Sequence, residues 1–403
     1  MLALLLACTS PKTDTATESV TWHRDIAPIV GVSCAGCHTD GGIAPFPLTT
    51  YDEVVALSAG IHAAVTDRRM PPWGADSSLQ DYLDDASLTD DEIALLTDWI
   101  DNAMPEGDPA DNEDVTAEIP PTLDQIDESV EMASAYVPDF SESPDVYRCF
   151  PIDWPGEEAG YVTGIDVRPG NEALVHHVIG FLAAPDAVAV VAALDEADPG
   201  AGYSCYGGSG AETAWLGGWV PGKAASVLPK DTGIAVEPGS QVILQVHYND
   251  SGEAGAGAQS AMDFTIASEV QWPGTLQPFT DVEWVYGDSM VIGAGTEDVT
   301  YSLMMSLPAD LRLYSGGLHM HTLGTSGRLW VERASGEVEW LVSVPSWDFS
   351  WQQSYWLADP IDFDSGDSIG LECQWSNPGS EDVGWGEGTA DEMCLGLIYL
   401  TNR

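Results

Sequence analysis

From residue 146 onward, short runs of β-branched and aromatic residues recur between clusters of Gly, Pro, Asn and Asp, and this texture argues for antiparallel β structure over most of the chain. One such run is Ser240-Gln241-Val242-Ile243-Leu244-Gln245-Val246-His247-Tyr248, and another is Gly327-Arg328-Leu329-Trp330-Val331-Glu332. A strand turns alternate side chains to opposite faces, so such a run buries one face and leaves the other for polar contacts or ligands. The segment is long enough for two β-sandwiches, and their expected bounds are 141–273 and 274–403. No internal repeat stands out.

The rest of the chain is organised differently. A total of 403 residues exceeds one ordinary core, and a composition that is 44% hydrophobic can build several. Residues 109–140 are rich in Pro, Asp and Glu, the composition of a solvated linker. Across the whole chain 12 basic residues face 65 acidic ones, a formal charge of −53. That balance repels phosphate backbones and anionic membranes, so nucleic acid is excluded as a partner. Past the first residues no apolar run reaches the roughly 18 residues of a spanning helix.

Met1 to Cys8 reads MLALLLAC and is followed by Ser, Thr, Pro and Asp, so residues 1–18 are expected to be a leader and tether. The run resembles the end of a bacterial lipoprotein signal, with Cys8 as the lipidated residue. It lacks a basic start, is short, and has Leu6 where a small residue is usual. A plain leader and a misplaced start codon remain alternatives. Export to the periplasm, or anchoring at the outer membrane or outside the cell, follows as the expected location.

Cys34-Ala35-Gly36-Cys37-His38 is a C-x-x-C-H pattern, the attachment signature of haem c: two thioether bonds, with the adjacent histidine as iron ligand. Trp22 to Val30 before it suits a first helix. Leu88-Thr89-Asp90-Asp91-Glu92-Ile93 after it suits the start of a helix running to about Met104. Between them, Arg69-Met70-Pro71-Pro72-Trp73 offers Met70 as the opposite axial ligand, since a thioether there favours ferrous iron and electron transfer. His62 is a competing ligand, a core methionine is the bland reading of Met70, and His23 is given no role. Residues 19–108 are therefore expected to form a small all-α cytochrome c domain, similar to modules fused to other domains in environmental bacteria.

Five of the eight histidines fall in the β-rich part, in a pattern: His176-His177, then His247, then His319-Met320-His321. His319 and His321, two apart on a strand, can address one metal ion. Adjacent His176 and His177 point to opposite faces unless a bulge intervenes. Imidazole alone does not select a metal, but Met393, in Gly388-Thr389-Ala390-Asp391-Glu392-Met393-Cys394, adds a soft thioether that favours cuprous copper. Without the histidines Met393 reads as core filler.

On these residues the chain resembles the copper type II ascorbate-dependent monooxygenases, which include the peptidylglycine α-hydroxylating and dopamine β-hydroxylating enzymes. The resemblance covers about residues 141–403. It implies two copper ions: His176, His177 and His247 would hold the one that relays electrons, and His319, His321 and Met393 the one that binds dioxygen and carries catalysis. It also implies a disulfide between Cys373 and Cys394 that pins the methionine loop, and Cys149 with Cys205 form a second candidate bridge. Both bridges need an oxidising compartment, as does haem c attachment.

The expected activity is hydroxylation of a C–H bond of a small organic substrate with O2. Ascorbate or another reductant would be the donor, and the haem could pass electrons to the copper sites, itself fed by a periplasmic partner. Peptidylglycine enzymes carry an arginine two residues before H-x-H; here Gly317 stands there, which argues against a glycine-extended peptide. Arg312 is the remaining candidate for an anion, and Tyr147 is read as a packing residue near the cleft. Two rival readings are a non-catalytic haem or copper electron-transfer or copper-binding protein, and a Trp-rich carbohydrate-binding or adhesion module with incidental histidines.

Overall fold

A computed structural model describes residues 19–40, 44–83, 85–111, 122–220, 225–250, 255–287, 289–386 and 388–403. The leader and tether, 1–18 with Cys8, and residues 112–121 of the acidic linker lie outside the described residues. The chain divides into two compact units, Met1–Pro71 with Ser87–Glu118, and Pro72–Ala86 with Ile119–Arg403.

The first unit holds helices Ala27–Ser33, Tyr51–Thr66 and Asp90–Asp101. The latter two open with reciprocal capping boxes, Thr50 with Glu53 and Thr89 with Glu92, which satisfy the amide groups that a helix start leaves unpaired. Ile26, Val54, Leu96 and Trp99 are its buried centre, and the Trp99 indole N–H donates to the Pro105 carbonyl at 3.0 Å.

The expected architecture, a small all-α cytochrome c domain followed by two antiparallel β-sandwiches, is corrected by the structure. The protein is mostly β-sheet and only 16% helical. The span 19–108 is not a module closed on itself, because its described residues between 72 and 86 contain no helix and belong to the β-rich unit. There Asp76 N–H donates to the Ser343 carbonyl and Leu83 N–H to the Trp356 carbonyl, each at 2.8 Å. Trp73 meets Tyr355 edge-on at 5.0 Å between ring centroids. Tyr82 is part of the β core and Trp73 packs against it.

The two β-rich halves are likewise joined. Strand Trp272–Phe279 pairs in parallel with Thr232–Val236 and antiparallel with Leu395–Asn402, which in turn pairs with Leu311–His319. Fourteen strands thereby share one hydrogen-bonded sheet, beside a four-stranded sheet in the order Thr296–Ser306, Ser368–Asn377, Gly324–Glu332, Val338–Val344. Gln241–Asn249 lies between Val175–Ala183 and Asp145–Asp153, and residues 242–248 are all buried, with Gln245 and His247 as the polar residues among them. Gly324–Glu332 does alternate along its second half, as a strand with one covered face should. Each large apolar side chain taken out of water here contributes roughly 1.5 to 3 kcal/mol, so the two apolar cores make rigid supports for the strand ends that carry the histidines.

Candidate metal centres

The first centre is built on three neighbouring strands. Val175 pairs with Tyr248 and His177 with His247, so His176 is an extra residue, a bulge. That bulge brings the adjacent histidines to one site. The rings of His176 and His177 lie 4.8 and 4.9 Å from that of His247. One nitrogen from each of the three lies within 4.8 Å of the others, and the Nδ1 atoms of His176 and His177 are 3.4 Å apart. Nitrogens shared by one ion at about 2 Å each sit at most about 4 Å apart, so only a small closure separates this arrangement from a ligand set.

The tautomer of His247 is fixed. Its Nε2–H donates to Asp145 Oδ1 at 2.8 Å, and its Nδ1 is buried without a hydrogen-bond partner. A buried nitrogen without a partner, beside two more imidazoles, fits a metal-ligand set. The Tyr147 ring stacks on His247 at 4.0 Å and 9°, so the packing role read for Tyr147 is played against a candidate ligand. Hydrogen bonding from His247 holds the Asp145 carboxyl down at about 2. Burial lowers His247 in turn, outweighing the carboxylate, and leaves it neutral. Burial also lowers His176 to about 4 and His177 well below its usual value. Neutral imidazole is the form that binds a metal.

The second centre sits where strand Leu311–His319 ends. The His319 and His321 rings are 5.1 Å apart at 84°. Each Nδ1 is committed, His319 to Gln352 Oε1 at 2.6 Å and His321 to the Asp391 carbonyl at 3.0 Å, which leaves Nε2 of both as the available donor. Burial, then the neighbouring His321, lowers His319 to about 3. Met393 is buried, and its backbone N–H shares the Glu392 carboxylate with that of His321. The Glu392 carboxylate accepts from the N–H groups of His321 at 2.9 Å, Leu323 at 2.6 Å and Met393 at 3.3 Å, and from the Trp375 indole at 2.9 Å.

Both bridges are formed, Cys149–Cys205 and Cys373–Cys394, the first on a strand of the three-histidine centre and the second directly after Met393. Phe349 relates the two centres: its ring lies 5.6 Å from His176 and 6.0 Å from His321. Those imidazoles are therefore within about 12 Å of each other. Gly317 pairs with Ser354 and Leu397. Arg312 is engaged by Asp362 at 2.6 and 3.1 Å, at the far end of the strand from His319, and is not a free anion clasp.

In the helical unit Cys34 and Cys37 are free, half-buried thiols at the end of helix Ala27–Ser33. His38 Nδ1 is 3.0 Å from the Phe46 carbonyl. Met70 follows helix Tyr51–Thr66, its N–H on the Ala64 carbonyl at 3.3 Å. His62 faces Asp101 at 3.9 Å and His23 faces Glu106 at 3.7 Å.

Asp145, Gln352 and Glu392, which hydrogen-bond the candidate ligand residues, and Phe349, which packs on two of them, belong to no motif in the sequence. Only Glu392 had a visible signal, an acid directly beside Met393 in a stretch that turns apolar.

Residues 282–402 match the family model "Copper type II ascorbate-dependent monooxygenase, C-terminal domain". The chain is 25% identical over 250 residues to DBH-like monooxygenase protein 2 of Mus musculus, covering 58% of this chain and 39% of that protein. It is 22% identical over 257 residues to DBH-like monooxygenase protein 1 of Homo sapiens, covering 59% and 41%. The matched region thus spans about two fifths of those relatives. Among solved structures, the major capsid protein P2 of bacteriophage PM2 aligns over 68% of this chain and 97% of that one, with 9% identity and a TM-score of 0.29, too loose a likeness to carry weight. The similarity to the C-terminal domain of the copper type II ascorbate-dependent monooxygenases thus covers residues 282–402.

Proposed function

We propose that this chain is a two-copper monooxygenase that hydroxylates a C–H bond of a small organic substrate. The balance is one substrate C–H, one O2, two electrons and two protons giving one alcohol and one water. The single observation that supports it best is the division of labour among the imidazole nitrogens. His247 spends Nε2 on Asp145 and keeps Nδ1 bare, whereas His319 and His321 spend Nδ1 and keep Nε2.

In this reading His176, His177 and His247 would hold one copper, suited to electron relay, and His319, His321 and Met393 would hold the other, suited to dioxygen chemistry. Copper bound there would supply the one-electron chemistry and the activation of dioxygen. Three imidazoles suit either oxidation state, and replacing one of them by the Met393 thioether favours the cuprous one. Phe349 offers the substrate an apolar face between the two donor sets. Neither Gly317 nor Arg312, which is engaged by Asp362, offers a clasp for a carboxylate, which favours a substrate without one.

Ascorbate or another reductant supplies the electrons. A haem c on Cys34 and Cys37, with His38 and Met70 as iron ligands, would be a donor within the same chain; that reading rests on the motif, without the expected cytochrome domain. Two disulfides fit an exported protein, and no helix among the described residues is long and apolar enough to cross a membrane.

Metal analysis with EPR on protein matured in a periplasm with haem c assembly tests the proposal. Two coppers per chain are expected, His247→Ala losing one and Met393→Ala altering the other, and the iron count decides the haem. Copper at neither site overturns the reading. Copper at both sites without oxygen uptake coupled to product makes the protein a copper-binding or electron-transfer protein instead.

A further inference from the structure

We propose that Asp145 is the positioning residue of the three-histidine centre and also ties that centre to the segment carrying Met393, an inference that rests on the two-copper reading above. Asp145 opens strand Asp145–Asp153 opposite Asn249. Its Oδ1 accepts from His247 Nε2 at 2.8 Å and from Asn249 Nδ2 at 2.9 Å. Its Oδ2 accepts from Thr389 Oγ1 at 3.1 Å. One carboxylate therefore meets the strand of the first donor set with one oxygen and the loop of the second with the other.

The consequence for the first centre is a choice of donor atom. An imidazole can present either nitrogen, and which one is bare is set by the hydrogen bond that the other makes. With Nε2–H directed at Asp145, His247 presents Nδ1, the buried atom without a partner. Turning the ring over would break the bond to Asp145, and tilting it out of plane would break the stack against Tyr147. The consequence for the second centre runs along the chain. Thr389 is two residues before Asp391, whose carbonyl holds His321 Nδ1, and four before Met393. Fixing Thr389 thus restrains the loop that positions one ligand and orients another. Phe349 bridges the centres by ring contact; Asp145 bridges them by hydrogen bonds.

The test uses the full chain with copper alone as the probe, and Asp145→Ala, Asp145→Asn and Thr389→Val variants. Asp145→Ala is expected to weaken copper at the three-histidine centre by about 10- to 100-fold. It should also change the pulsed-EPR signal of a remote imidazole nitrogen, which senses the hydrogen bond at Nε2. Asp145→Asn can still accept from His247 and should restore most of the affinity, yet shift that signal because a neutral oxygen is the weaker acceptor. Thr389→Val should spare the three-histidine centre and weaken or broaden the Met393 one. An unchanged remote-nitrogen signal in Asp145→Asn overturns the positioning role even if Asp145→Ala fails to fold. An unchanged Met393 centre in Thr389→Val overturns the tie. Wild-type protein that takes no copper at His176, His177 and His247 overturns the two-copper reading itself, a result distinct from either.

Discussion

Single residues set the chemistry through which nitrogen they leave free, and the same burial makes the metal-free protein sensitive to acid. His176 and His319 are lowered to about 4 and about 3 by burial, and His177 lies well below its usual value. The unfolded chain protonates these rings near the ordinary histidine value of about 6.5. Between that pH and the lowered values the unfolded state binds more protons, so stability rises with pH in this window. The stability is complete above about pH 6.5 and is lost as pH falls toward 4 and 3. Asp145, lowered to about 2, adds a further loss below about pH 4. Melting curves of copper-free protein at pH 7, 6, 5 and 4 should show a steady fall that is shallower in His319→Gln. A flat profile would mean that these imidazoles are not held neutral.

At the scale of elements, the bulge at His176, the connection between strands Val338–Val344 and Ser354–Phe363, and two covalent bridges do the positioning. That connection carries Phe349, Gln352 and Trp347, whose indole donates to the His321 carbonyl at 3.2 Å. It therefore reaches both donor sets with side chains from a few consecutive residues. The Cys373–Cys394 bridge fixes the residue after Met393 to the central strand Ser368–Asn377. Closing a loop of this separation is worth about 3 kcal/mol of unfolded-chain entropy. Replacing both cysteines by serine should lower the melting temperature by several degrees and selectively weaken copper at the Met393 centre. Serines at Cys149 and Cys205 should act on the three-histidine centre instead. Calorimetry with site-resolved EPR separates the two, and equal effects on both centres would show that the bridges stabilise the fold without positioning ligands.

For the whole molecule the governing quantity is a formal charge of −53. Several arginines are drawn into ion pairs, Arg148 with Asp198 at 3.0 Å, Arg168 with Asp263 at 2.9 Å and Arg333 with Asp367 at 2.8 Å, and the surplus carboxylates repel one another. Salt shortens the range of that repulsion from about 30 Å at 0.01 M to about 3 Å at 1 M. The melting temperature should therefore climb with sodium chloride at neutral pH, whereas a typical balanced protein would lose surface ion pairs. A melting temperature that falls with salt would show that the ion pairs outweigh the repulsion. The field also disfavours anionic substrates, in keeping with Arg312 being engaged.

The sequence by itself offered the candidate donor residues: His176, His177, His247, His319, His321 and Met393 stand out because metal chemistry favours particular side chains at particular spacings. It also determined the β character, since alternation and turn residues are local properties, whereas the cysteine pairs followed from the family resemblance and are formed in the structure. It did not determine the architecture of residues 19–108. The local helix signal at Thr89 was sound, as its capping box shows, but the placement of residues 72–86 depends on Trp73 and Tyr82 finding Tyr355, far away in the chain. Nor could local pattern show that the two β-rich halves share strands. Only the tertiary structure decided which nitrogen each histidine keeps bare, because that depends on Asp145, Gln352 and Asp391, partners 102, 33 and 70 residues distant. A hydrogen bond over such a separation leaves no periodicity in the sequence; it exists once the sheets have brought the two ends together.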